Sequence, residues 1–176
     1  GVDLDEKTIT YAKINSEINN IQFEGYTSDK FKISQHVNTF DIALSFGVIE
    51  FLDDANFNSV FKNMYESLKS GGKLLCTFHN WRPLSAMYIA YTLNGLLKKT
   101  TGYNYYTNQI GYKISKDSVN EVSRKLQAVG FKIVSYGGVN PYPTWFWKYI
   151  KSPLFFQTKF KLISRLFCTQ YIVLEK

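Results

Sequence analysis

The chain has 176 residues, 45% apolar content and a formal net charge of +7, which is enough length for one domain with a sizeable core. No run approaches the roughly 18 apolar residues of a membrane-spanning helix, no signal-peptide pattern opens the chain, and no Walker loop, zinc spacing, nucleophile elbow or RNA-binding signature is present. The lysines are scattered, so the charge marks no anion-binding patch; no nucleic-acid partner is expected, and the expected location is the cytoplasm.

Gly1-Val2-Asp3 reads as the tail of a buried strand, and the chain is therefore expected to be incomplete at its N-terminus. Asp5 can cap a helix running to about Asn19, with Glu6 in its first turn and Ile9, Ala12 and Ile18 inward. Ile21 to Glu24 is a short strand candidate. The central stretch is Phe40 to Asp54. Its apolar residues Ile42, Ala43 and Leu44 predict a strand buried on both faces, as in parallel sheets. It breaks at Gly47 and continues as an apolar loop around Glu50, with a helix start at Asp53-Asp54. In open α/β sheets ligands sit beyond the carboxyl ends of the strands, so the loop Ser45 to Leu52 is the first place to look for function.

Phe57, Val60, Phe61, Met64 and Leu68 recur at spacings of three and four, which predicts an amphipathic helix stopped by Gly71-Gly72. Lys73 to Phe78 is a strand with His79-Asn80 just past its end. Pro83 is expected to open a helix over Leu84 to Leu97, and residues 81–112 to form a cap over a pocket. Ser115 is expected to cap a helix with Val119, Val122, Leu126 and Val129 inward, ended by Gly130. Phe131 to Tyr136 is a strand that turns away at Gly137-Gly138.

Residues 140–167 form a second cap-like segment, with a helix start at Ser152-Pro153 and a stripe of Phe156, Phe160, Ile163 and Phe167. With Lys159, Lys161 and Arg165 nearby, peripheral membrane contact is one use of this stripe; the number of apolar positions favours core packing. Thr169 to Leu174 closes the chain as a strand. Cys76 and Cys168, far apart and in apolar runs, read as reduced and structural. The alternation of elements predicts one domain of the α/β class: a mostly parallel, Rossmann-like sheet with helices on both faces and an antiparallel last strand.

The order of motifs resembles the class I S-adenosylmethionine-dependent methyltransferases. Gly1-Val2-Asp3-Leu4-Asp5 is similar to that family's second-strand motif. Phe40 to Asp54 is similar to its fourth-strand motif, with a Val-Leu-Glu-His-Leu-type loop. Leu68 to Leu74 is similar to its Leu-Lys-Pro-Gly-Gly-x-Leu turn, and Gln127 to Phe131 to its Ala-Gly-Phe turn. The resemblance implies S-adenosylmethionine as cofactor and a small acceptor molecule, whose pocket the aromatic segments Trp81 to Tyr112 and Tyr142 to Phe167 would form; their richness suggests an apolar, lipid-like or aromatic acceptor. Asp3 would take the two ribose hydroxyls, because a carboxylate can accept both donors of a diol. Leu4 would pack on adenine. Tyr26 and Thr27 occupy the place of the family's acidic residue, and Tyr26 could instead stack on the ring. Ser45, Phe46 and Gly47 would border the methionine part.

The family's glycine-rich loop and first strand are absent, so the chain as given is expected to bind cofactor poorly or not at all. Phe51 stands where some small-molecule methyltransferases have His, which argues against a metal site. Methyl transfer from a sulfonium relies mainly on positioning and desolvation. A base is needed only where the acceptor must lose a proton. The candidates are Glu50 and His79, weighed against a loop-capping or lysine-paired Glu50 and a structural His79. His36 is assigned no role. A non-catalytic domain of the same fold, binding a partner or a membrane surface, is the alternative.

Overall fold

The computed structural model describes residues 1–81, 83–101, 117–139, 157–158, 163 and 166–176. These fall into two compact units, Gly1–Val37 and Asn38–Lys176.

The first unit is a strand–helix–strand. β1 (Val2–Asp3) runs parallel to β2 (Tyr26–Thr27), with α1 (Glu6–Ile18) between them in sequence. Asp5 caps α1 as expected, its side chain accepting the Lys7 N–H at 3.1 Å. Ile9 is buried, but Ile18 is exposed and Ser16 is buried instead. The strand expected at Ile21 to Glu24 falls at Tyr26–Thr27, where the backbone pairs with β1. His36 stacks on Phe31, with centroids 5.0 Å apart, and meets Tyr26 edge-on at 5.9 Å.

The second unit carries a five-stranded sheet in the order β3-β4-β7-β5-β6, comprising β3 (Phe40–Phe46), β4 (Leu68–His79), β5 (Lys132–Val139), β6 (Gln157–Thr158) and β7 (Thr169–Glu175). β3 and β4 are parallel; β7 lies antiparallel between β4 and β5, as expected for the last strand. The result is a Rossmann-like α/β fold with a mixed sheet. α2 (Asp54–Ser67) and α4 (Val119–Val129) cover one sheet face. Phe57, Phe61, Val122 and Leu126 there meet Leu74, Cys76, Ile172 and Leu174 in the core. α3 (Ala86–Thr101) follows β4.

Several local expectations are corrected. β3 is not buried on both faces: Ile42, Leu44 and Phe46 are 65%, 55% and 56% exposed, because only the Ala43 and Ser45 face of the strand turns to α2 and α4. α2 ends at Ser67, before Gly71-Gly72, because the backbone turns extended at Leu68. Gly71, with φ +75°, sits in the irregular register where Phe40 pairs with Leu68 but Ile42 with Lys73.

His79 is the last residue of β4 rather than beyond it. α3 starts at Ala86 and runs past Lys98-Lys99 to Thr101; Pro83 and Leu84 form a turn, with Leu84 at φ +68°. Ser118, not Ser115, caps α4: its hydroxyl accepts the Glu121 N–H, while the Glu121 carboxylate takes the Ser118 N–H. Gly137 and Gly138 do not turn away but stay in β5, paired with Tyr171 and Gln170. Ser115, Ser152-Pro153, Phe156, Phe160 and most of both cap segments lie outside the described residues; Ile163 is half-exposed and Phe167 buried. Cys76 and Cys168 are buried and not in a disulfide. Burial pushes the Cys76 thiol far up, with the Ser45 hydroxyl opposing it, and pushes that of Cys168 up to about 12.

Candidate functional site at the carboxyl ends of β3 and β4

Parallel pairing brings the carboxyl ends of β3 and β4 side by side, with Phe46 opposite Thr77. Ser45 closes the inner face of β3 at 1% exposure. Gly47 then turns the chain with φ +62°, a left-handed conformation that favours glycine, and donates its N–H to the Thr77 carbonyl at 3.0 Å. Among the described residues, a Cβ at Gly47 would meet nothing within 4 Å.

The loop beyond is wound into a single 3₁₀ turn over Ile49–Phe51. That turn sends Ile49 into the core and Glu50 inward beside it, leaving them 2% and 3% exposed. Asp53 ends the loop by capping α2, accepting the Asn56 N–H at 2.8 Å.

Glu50 and His79, singled out separately in sequence, meet here: Nδ1 of the imidazole lies on Oε1 of the carboxylate in a short hydrogen bond. Among the described residues Glu50 pairs with no lysine; its partner is the histidine. The second oxygen, Oε2, is buried without a hydrogen-bond partner among the described residues. His79 keeps 31% of its side chain exposed, and its ring centroid lies 6.4 Å from that of Trp81. Among the described residues no third His, Cys, Asp or Glu joins the pair to make a metal site.

A buried polar clamp that sequence reasoning missed holds the chain after His79. Asn80 donates its backbone N–H to the Cys168 carbonyl at 2.7 Å and its side-chain amide to the Phe167 carbonyl at 2.8 Å. Ser85 donates to the Asn80 carbonyl at 2.6 Å, and its oxygen accepts the Tyr88 N–H at 3.1 Å, capping α3. The available signal was Ser85 directly before the apolar run of α3.

Asp3, Leu4, Tyr26 and Thr27 belong to the first unit. Asp3 stands at the carboxyl end of β1, where its Oδ1 accepts the Asp5 N–H at 2.9 Å. Leu4 is 80% exposed. Tyr26 donates its hydroxyl to Glu24 at 2.9 Å, and that carboxylate raises the phenol above its ordinary range.

A family described as a methyltransferase domain matches residues 1–72, fewer than half of the chain. No curated protein matches. Among solved structures, a SAM-dependent methyltransferase from Thermotoga maritima shares 18% identity at a TM-score of 0.69, over 100% of this chain and 72% of its own. One from Methanosarcina mazei shares 15% at 0.63, over 100% and 80%. One from Mesorhizobium loti shares 16% at 0.59, over 100% and 79%. The chain has a class I S-adenosylmethionine-dependent methyltransferase-like fold.

Proposed function

We propose that this chain serves S-adenosylmethionine-dependent methyl transfer to a small acceptor, in the cytoplasm. The observation that carries the reading is the grouping, at the carboxyl ends of the parallel strands β3 and β4, of an open glycine turn and a buried carboxylate–imidazole pair.

The residues suit the cofactor. Asp3 spends one oxygen on Asp5 and, among the described residues, keeps Oδ2 for a diol. The exposed Leu4 offers an apolar surface to a base. Gly47 has room for close backbone approach, beside Ser45 and Phe46. When bound, S-adenosylmethionine supplies an electrophilic methyl group on a sulfonium. Glu50 and His79 would hold or take a proton at the acceptor, and the Asn80–Ser85 clamp would keep the histidine in place.

The test is cofactor affinity in the protein expressed from its own gene. Asp3→Ala is expected to weaken S-adenosylmethionine binding about 10- to 100-fold in titration calorimetry, the range for hydrogen bonds to a charged group. Unchanged affinity would remove the ribose role of Asp3. No binding by the unsubstituted protein would leave a non-catalytic domain of this fold.

A further inference from the structure

We infer that Glu50 and His79 act as one proton-accepting unit and that the acceptor is an acidic, phenol-like hydroxyl, an inference that rests on the methyltransferase reading above. A carboxylate on Nδ1 fixes the neutral ring with its proton on that nitrogen, which leaves Nε2 as the lone-pair site. Glu50 is 3% exposed and His79 is partly open, so the carboxylate sits behind the ring and the ring faces outward.

A purely structural pair would be expected to satisfy both carboxylate oxygens, since buried polar groups almost always find partners. Here Oε2 has none among the described residues. An under-compensated buried carboxylate gains when positive charge develops on the ring it touches, and accepting a proton at Nε2 creates that charge.

This chemistry selects among acceptors. A neutral amine attacks with its own lone pair and needs no base before the carbon–nitrogen bond forms. A hydroxyl is a poor nucleophile until its proton moves. Imidazole is matched to phenol-like hydroxyls, near pKa 10, far better than to aliphatic alcohols. The Trp81 ring near His79 offers an aromatic neighbour for such a molecule. In the step, the acceptor oxygen gives its proton to Nε2 and uses the electron pair it keeps to bond the methyl carbon. The carbon–sulfur bond breaks with its pair going to sulfur. The proton later leaves the imidazolium to solvent, and Glu50 acts throughout as a positioning residue behind the ring.

The experiment uses ¹⁵N-histidine-labelled protein, with S-adenosylmethionine affinity measured alongside. In the unsubstituted protein the neutral His79 ring should carry its proton on Nδ1, with that proton resonance far downfield. The isosteric Glu50→Gln should move it upfield, lower turnover about 100-fold and leave cofactor affinity within twofold. His79→Gln should lose as much, and the double substitution no more than either alone. The acceptors are 1-naphthol, 4-nitrophenol and 1-naphthylamine, and the two phenols should be methylated faster.

A proton on Nε2 in the unsubstituted protein, or an Nδ1 proton indifferent to Glu50→Gln, overturns the unit. Cofactor binding without methylation of either phenol, or with the amine preferred, overturns the acceptor class. Absence of cofactor binding overturns the underlying reading instead, so the failures are distinguishable.

Discussion

Nζ of Lys125 on α4 lies 2.6 Å from Oδ1 of Asp54, the first residue of α2, and ties together the two helices that cover the core. The same ammonium lies 2.6 Å from Asp117 and 5.4 Å above the Phe57 ring. The hydrogen bond and charge of Lys125 hold the Asp54 carboxyl below its usual range. A depressed carboxyl contributes stability that is complete above the unfolded value and lost as pH falls through the folded one. Asp54→Asn is therefore expected to flatten part of the acid limb of stability below about pH 4. Denaturant titrations across that range check this, and an unchanged slope would show that the pair contributes nothing.

Phe61 is fully buried and its neighbour Phe57 lies 4.5 Å away, centroid to centroid. Phe61→Ala should cost the Asn38–Lys176 unit about 3–5 kcal/mol, the transfer energy plus the cavity left behind. Urea unfolding should show a lower midpoint at an unchanged slope.

Gly130 and Gly47 both have positive φ, at +123° and +62°, but their surroundings differ. A Cβ at Gly130 would come within 3.1 Å of the Tyr65 ring, whereas one at Gly47 meets nothing within 4 Å among the described residues. Gly47→Ala should therefore cost roughly 1–2 kcal/mol of backbone strain alone. Gly130→Ala should cost more, because the Tyr65 ring must also give way by a few tenths of an ångström. The order of the two melting temperatures decides the point.

Removing the capping hydroxyl with Ser118→Ala should destabilise the protein by about 1 kcal/mol. Ser118→Thr, which can still accept the Glu121 N–H, should recover most of it. Near-identical thermal midpoints for Ser118→Ala and the unsubstituted protein would mean that α4 is held by its buried face alone.

Punctuation that depends on a few adjacent residues was legible in the sequence. Asp5 and Asp53 start their helices through their carboxylates, and Gly130 stops its helix at a positive φ. The cap of α4 was misplaced because Ser115 and Ser118 both fit a serine-first rule, and the Glu three positions after Ser118 was the deciding signal. Gly137-Gly138 reads as a turn in isolation, but pairing with β7 holds it in a strand.

The candidate site was legible as residues and not as a unit. Glu50 and His79 stand 29 positions apart, and only the parallel register of β3 with β4 joins them. The clamp on Asn80 depends on carbonyls at Phe167 and Cys168, which no local pattern announces.

The placement of β7 sets a schedule for biosynthesis. The strand translated last among those described occupies the middle of its sheet and pairs with β4 on one side and β5 on the other. Lys176, just after it, reaches the Leu68 carbonyl at 2.6 Å and the Asn38 side chain at 2.8 Å, where β4 and the second unit begin. Until Thr169 to Glu175 leave the ribosome, β4 and β5 have no strand between them and their facing edges stay unpaired. A nascent chain paused before that point presents the same edges to any passing extended peptide, so closure of the sheet waits on the synthesis of β7.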